Sequence, residues 1–519
     1  MKKIAKFLIV LGMMGQLSSC DYLDIVPDER AQESDTWKTE GAVRGYLYSC
    51  YGYLPANRTF GNSYWLAEEL TAVTKELFTT FKYGYYSPVS LGFTSNTWST
   101  IWNGIHQCYM FQESLKQVSN EYVTDEMKKQ YLAESNFLIA YYHFLSMRSY
   151  GPTMIIRSVI DLETPISGFP ERSSIDEVVA FINEKLDEAM SEGGLPTTWS
   201  GKDYGRATRL AALALKSRVY LYAASPLYNG NTEMYADFRS PLDGRQLIAQ
   251  EKSQAKWEIS ATQTKYAIDE VEKAKFHLYH DADAGEPSDA KPGLPNKAQR
   301  RLRYTNIDNQ TGNNPEIIWA DTRNDDYYGI QRRCPPRQTL GGKFAGISMT
   351  NCPTLQTIEA FYTKNGLPIN KDKTFDYDER YEYISAPENC DGNNYEDLVK
   401  YANFTPSSDK VMRLCTDREP RFYAWTTYHN GYFEFGKYNN EEISADPAKR
   451  AIRIHLLRDD PHGRGNRTDQ EYSISGFGNK KGVVPSAEWN VIEYPFPLFR
   501  LAELYLNYAE ALVELDRLS

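Results

Sequence analysis

The residues that could do chemistry are few and mostly in the wrong spacing. Seven histidines stand at His106, His143, His277, His280, His429, His455 and His462, and none belongs to an H-E-x-x-H pair. His277 and His280, three apart and followed by Asp281, have the spacing of a metal face. They also close a helical pattern, where imidazolium side chains complement the negative end of the helix dipole, and this second reading is the favoured one. Asp281-Ala282-Asp283-Ala284-Gly285 opens like a calcium loop. Its twelfth position is Pro292, where a bidentate Glu is needed, so bound calcium is unsupported and no cofactor is expected. There is no G-x-S-x-G elbow, and Gly476-Phe477-Gly478 lacks the spacing of a dinucleotide fingerprint. The acidic pairs Glu68-Glu69 and Asp325-Asp326 are adjacent in the chain. Adjacency does not set two carboxyls about 5–9.5 Å apart across a glycosidic bond. These residues predict no catalytic site, no metal ligands and no enzyme.

Binding is better represented. The chain has 39 Tyr against 22 Phe and 9 Trp. Tyr joins an apolar ring to a polar tip, which suits wet contact surfaces, although most of these rings are expected to line helix seams. Two loops concentrate the remainder. One runs from Phe81 through Tyr83, Tyr85 and Tyr86 to Trp98; the other holds Asp326, Tyr327 and Tyr328, followed by Arg332. Sugar rings present C–H faces that stack on aromatic rings, while their hydroxyls bond Asn, Asp and Arg. Tyr83, Tyr85, Tyr86, Trp98, Asp326, Tyr327, Tyr328 and Arg332 are the candidate ligand contacts. Trp98 has a second reading, because with Trp102 and Ile105 it also begins a helical core pattern.

Segments of helical period must position these loops. Residues 39–54, 96–119, 131–150, 174–190, 208–225, 257–276 and 501–515 read as helices. Ser174 and Glu177 form a capping box, and Gly151-Pro152 and Pro226 act as stops. Ala207, Ala211, Ala214 and Ser217 set small side chains near one stripe, so another helix can approach closely. In the last helix Leu501, Leu504, Tyr505, Tyr508, Leu512 and Leu515 make one apolar face, and Glu503, Asn507, Glu510 and Glu514 take the other. Paired helices with Ala/Tyr seams are similar to tetratricopeptide hairpins without a regular period. The fold class is mainly α: such hairpins form one side of a single large domain, with a loop-rich region containing short strands. Residues 20–276 and 496–519 form the helical-repeat part and 277–495 the loop-rich part. Ile317-Ile318-Trp319 and Phe422–Tyr428 read as short strands.

The N-terminus gives the address. Lys2, Lys3 and Lys6 precede the apolar run Phe7–Leu17, which is shorter than the roughly 20 residues that span a bilayer. Residues 1–19 read as a signal peptide. Leu17-Ser18-Ser19-Cys20 has the form of a lipobox, making Cys20 the acylated lipid anchor; several acyl chains hold a protein stably where one does not. Loss of the leader removes three lysines and no acidic residue, taking the net charge from -11 to -14. That acidity excludes nucleic acid, which needs a basic patch. Six further cysteines contain no C-x-x-C pair; one late disulfide such as Cys334–Cys352 is sterically conceivable, and the sequence does not pair them.

Several strings stand in order along the chain. They are Cys20-Asp21-Tyr22-Leu23-Asp24 with Pro27; Ala133-Glu134, Phe137-Leu138, Tyr141-Tyr142 and Tyr150-Gly151; and Gly205-Arg206-Ala207-Thr208 through Ser225-Pro226-Leu227. Later come Pro315-Glu316-Ile317-Ile318-Trp319; Pro353-Thr354 with Phe361 and Gly366; Asp417 with Pro420-Arg421-Phe422; and Phe499-Arg500-Leu501-Ala502-Glu503 through Ala511. Together, over nearly the whole chain, they resemble the SusD/RagB family of outer-membrane nutrient-binding lipoproteins of Bacteroidota. The resemblance implies that the loop-rich part, 277–495, faces the ligand. The resemblance implies a non-catalytic surface lipoprotein that binds oligo- or polysaccharide and delivers it to a SusC-like TonB-dependent transporter. Some relatives capture peptide instead, and a secreted glycosidase is the more distant alternative. It also implies a helix pair after the last helix, whereas this chain stops at Ser519. Either the product is a fragment or another element covers the apolar face of that helix.

Overall fold

The computed structural model describes residues 37–55, 68–72, 84, 87, 93–161, 163–280, 282–283, 297–308, 314–323, 329–336, 349–385, 410–434, 451–460, 462–465, 472–484 and 493–517. The proposed leader and Cys20 lie outside them. None of the described helices is long and apolar enough to cross a membrane.

Six long helices come first: α1 (Glu40–Tyr51), α2 (Phe93–Leu115), α3 (Asp125–Tyr150), α4 (Ile175–Ala189), α5 (Arg209–Ala224) and α6 (Gln254–Lys273). Local chemistry sets their starts. Thr39, Thr124 and Thr208 each accept a hydrogen bond from the backbone N–H three residues on. The Ser174–Glu177 capping box closes in both directions. α3 departs from the single-stripe pattern: it is buried on all sides from Ala133 to Met147, because α2 and α4 both pack on it. α5 and α6 meet through small residues, with Ser217 Oγ 2.7 Å from Thr264 Oγ1.

The loop-rich part carries short elements. α7 (Lys297–Tyr304) packs on α8 (Pro420–Trp425). The expected strand over Phe422–Tyr428 is therefore helical through Trp425, and only Thr426–Thr427 is extended. Pro420 explains the switch, since its fixed φ suits the first turn of a helix. Described strands pair only in twos. One pair, β1 (Ile317–Asp321) with antiparallel β2 (Phe496–Arg500), ties the loop-rich part to the hairpins. Trp319 of β1 meets Phe137 and Tyr141 of α3 edge-on at 5.0 and 5.3 Å and stacks on Phe499 at 5.8 Å. Its indole N–H donates to Gly205 O at 2.8 Å. Gly205 has φ +99°, and a Cβ there would lie 2.9 Å from Thr322, so glycine is required.

β2 leads into α9 (Leu501–Glu514), which packs on α6 and α5. Its buried stripe is Leu501, Leu504, Asn507 and Ala511, with Leu515 just beyond. Tyr505 is exposed, opposite to the expected face, and Asn507 is inside, donating to Ser217 Oγ at 3.1 Å. The predicted face is thus rotated, because the partner helices supply a polar acceptor within the seam. Leu506 and Val513 remain 70% and 53% exposed. Cys334 and Cys352 are separate buried thiols, so the conceivable bridge between them is absent.

Candidate functional site

Two strings far apart in the chain meet in the helical part. Glu134 of α3 is wholly buried and accepts from Arg206 through Nε at 3.2 Å and Nη2 at 2.5 Å. Tyr51 donates to the same carboxylate at 2.6 Å, and Arg206 reaches Asp203 at 2.7 Å. The guanidinium lies 4.1 Å over Trp199, whose N–H donates to Ala207 O. This node holds α1, α3 and the entry to α5 together. A cavity of about 540 Å³ opens beside it, with Arg206 lying over the Trp199 ring.

The second cavity combines rings, amides and charges in its lining. It encloses about 530 Å³ where the hairpins meet the loop-rich part. Leu498, Arg500 and Glu503, from β2 and α9, line one side together with Arg218 of α5. Trp425, at the end of α8, and Phe361 supply rings, Asn306 and Asn479 supply amides, and Glu69 and Lys481 supply charges from the other side. Trp425 is half-buried and anchored by a 3.1 Å hydrogen bond to Leu302 O. Lys481 Nζ sits 4.6 Å over its ring. Lys481 reaches solvent through the cavity, yet protein surrounds it; desolvation and the Arg500 charge hold its ammonium below the usual lysine range. Arg218 grips Glu503 through Nε and Nη2, each at 2.6 Å, and lies 4.1 Å over Phe499. Arg500 pairs with Glu316 at 2.6 Å. A ring face flanked by amides and single charges is the chemistry a hydroxylated ring needs.

The sequence-predicted contacts fall unevenly on this geometry. Tyr83, Tyr85, Tyr86, Asp326, Tyr327 and Tyr328 lie outside the described residues. Ile330, two positions after Tyr328, lines the cavity, and half-buried Arg332 shares its four-residue helix. Trp98 is half-buried on α2, edge-on to Trp102 at 5.3 Å and Tyr150 at 4.9 Å. Sequence reasoning missed Trp425, Lys481, Asn306 and Arg500. The signal available was Pro420-Arg421-Phe422, which marks a helix start one turn before Trp425. His277 and His280 are also placed differently: α6 ends at Lys273, so neither lies in its last turn. Their carboxylate neighbour is Asp283; Asp281 lies outside the described residues.

A stack of α-hairpins bearing a loop-built cavity is the scaffold of a helical-repeat binding protein. The SusD family model matches residues 315–519, and a model described as "Starch-binding associating with outer membrane" matches residues 21–221. Between them they account for most of the chain, which belongs to the SusD/RagB family. The solved structure named BT4246 is 28% identical over 92% of this chain and 79% of its own, with a TM-score of 0.74. A SusD-like protein from Bacteroides fragilis NCTC 9343 is 20% identical over 95% and 78%, with a TM-score of 0.63. A SusD-like carbohydrate binding protein of the same strain is 17% identical over 93% and 75%, with a TM-score of 0.56; these two share the fold. No curated protein matches the chain.

Proposed function

We propose that this protein is a surface lipoprotein that binds a glycan without cutting it and passes it to a TonB-dependent transporter. The cavity at Trp425 carries the reading: a half-buried indole with Lys481 over its ring and Asn306, Asn479 and Glu69 around it offers a ring, amides and charges to a sugar and its hydroxyls. One matching family model describes starch binding at the outer membrane, which supports the ligand class and the location. Binding without cleavage is supported by the fate of Glu503, one of two carboxylates in the lining: Arg218 holds it bidentate, leaving no free acid–base pair among the described lining residues. Acylation of Cys20 would anchor the protein in the outer membrane, with the hairpins of 20–276 and 496–519 toward the transporter barrel and 277–495 toward the ligand.

Retention on gels containing soluble polysaccharides, followed by calorimetry, tests the ligand. A polysaccharide is expected to retard the protein, and Trp425→Ala to weaken binding at least about tenfold, as for a buried aromatic anchor. Released sugars would sink the non-catalytic reading, and retention by peptides alone would move the ligand to another class. Palmitate-analogue labelling should be lost in Cys20→Ala. Affinity purification from outer membranes should recover a large barrel protein.

A further inference from the structure

The geometry points to a divalent transition-metal site on His277, His280 and Asp283, distinct from the glycan cavity. Three donor groups converge there. His277 Nε2 lies 3.1 Å from Asp283 Oδ1, and His280 Nδ1 lies 2.5 Å from Asp283 Oδ2. One ligand atom from each residue falls within 4.8 Å of the other two. The imidazoles stack at 4.5 Å between centroids and 23° between planes. Metal bonds of about 2.0–2.2 Å place tetrahedral ligand atoms roughly 3–3.5 Å apart, so the His277–Asp283 separation already suits a shared ion.

The backbone that presents these groups is held in place by the rest of the protein. Lys275 turns the chain away from α6 with φ 71°. The His277 N–H then donates to Pro315 O at 3.1 Å, and the Tyr279 N–H to Glu316 Oε2 at 2.9 Å. The Tyr279 ring is buried, with its hydroxyl donating to Asp308 Oδ2 at 3.0 Å. Asp283 folds back, its N–H donating to His280 O at 2.9 Å while its Oδ2 accepts from the His280 N–H at 2.8 Å. His277 Nδ1 faces Lys275 O at 3.4 Å. With an ion on the Nε2 lone pair, the ring proton sits on Nδ1 and can be donated to Lys275 O. A backbone acceptor behind a ligating imidazole is the usual support of a metal-bound histidine.

The donor set selects the ion. Calcium and magnesium take oxygen ligands, whereas two imidazoles and one carboxylate suit zinc-class first-row cations. The His277 and His280 side chains are 44% and 53% exposed and that of Asp283 15%, so an ion can enter from solvent. Three protein ligands leave a fourth position for water. A bound ion would clamp the 277–283 turn beside Pro315 and Glu316, at the entry to β1.

Tag-free full-length protein at pH 7.5, dialysed free of metal, decides the matter by titration with Co²⁺ and displacement by Zn²⁺. One equivalent of Co²⁺ is expected to give visible d–d absorption that Zn²⁺ abolishes. His280→Ala and Asp283→Asn should each weaken Co²⁺ binding at least about tenfold, the effect expected of lost metal-site groups. His429→Ala should leave it unchanged. Saturating Zn²⁺ should raise the melting temperature of the wild type and not of His277→Ala/His280→Ala. Circular dichroism of the metal-free variants controls for folding. Absence of a Co²⁺ spectrum, or an unaltered spectrum in the double variant, overturns the site and leaves the glycan reading untouched.

Discussion

The hairpin part and the loop-rich part satisfy their buried polar backbone in different ways. In α1 to α6 the backbone pairs within each helix, threonine or serine caps complete the starts of α1, α3, α4 and α5, and side chains are left to pack. The loop-rich part has only short helices and two-stranded pairs, and buried arginines add to them. Arg418 is 3% exposed and donates to four carbonyls: Leu414 at 2.7 Å, Ile358 at 2.8 Å, Phe361 at 2.5 Å and Tyr362 at 3.4 Å. Arg303, also buried, donates to Lys480 O. Irregular backbone can thus be buried without ladder bonds, provided a long multivalent donor threads through it. The comparison teaches that the hairpins can tolerate sequence change that keeps volume, while the loops depend on single side chains.

The sharpest test sets the buried arginines of the two parts against each other. Arg418→Met should destabilise by about 4 kcal/mol, since a methionine leaves several buried carbonyls unpaired. Lysine should not rescue it, lacking the planar fork. Glu134→Ala should cost a similar 3–5 kcal/mol by leaving Arg206 as an uncompensated buried charge. The double change Glu134→Leu/Arg206→Met should recover most of that loss, because both partners are side chains and can be replaced together. Urea midpoints measure all four. Equal recovery in the two parts, or none in either, would break the comparison.

Acid should weaken both parts by the same mechanism. Burial holds His143 down to about 4, and burial with the His455 charge holds His462 down to about 4. His143 is satisfied only when neutral: Nδ1 donates to Ile139 O at 2.7 Å and Nε2 accepts from the Ile156 N–H at 3.3 Å. The unfolded chain takes up these protons near pH 6.5 and the folded chain only near pH 4. Stability from each site is therefore complete above about pH 6.5 and falls as pH drops toward 4, by up to about 3 kcal/mol. His143→Gln and His462→Gln should each flatten the profile between pH 7.5 and 4.5. A profile unchanged by either would remove titration from the account.

Smaller effects lie where the parts touch and where they face solvent. Arg218→Met breaks the part-buried pair with Glu503 and the bond to Leu498 O, and should cost about 1–2 kcal/mol. It should also loosen glycan binding, since both groups line the cavity. Leu506→Ser on the outer face of α9 should change stability by no more than about 0.5 kcal/mol. A larger loss would mean that this face is covered in solution.

Much of the hairpin part was legible. Period, caps and stops placed α1 to α6 and α9 within a few residues, because each signal acts over one or two turns. Family strings such as Ala133-Glu134 and Gly205-Arg206-Ala207-Thr208 were visible as strings, yet their meeting as one ion pair was not. Trp425 was assigned to a strand, although Pro420 at a helix start was the better guide. For the last helix Leu501, Leu504 and Leu515 were placed on the buried face, whereas Tyr505 turns out and Asn507 turns in, because its amide finds Ser217 inside the seam.

What the sequence determined by itself was every feature fixed by neighbours along the chain: helix starts and stops, the leader pattern ahead of Cys20, the mainly helical class and the family. What only the tertiary structure decided was every feature that needs groups distant in sequence to share one place. The cavity joins residues 69, 218, 425 and 481, and Arg418 serves carbonyls 4 to 60 residues away. His277, His280 and Asp283 converge because a turn after α6 is tied to Pro315 and Glu316. The physical reason is range: periodicity and capping act over a few residues, whereas site geometry depends on how whole elements dock.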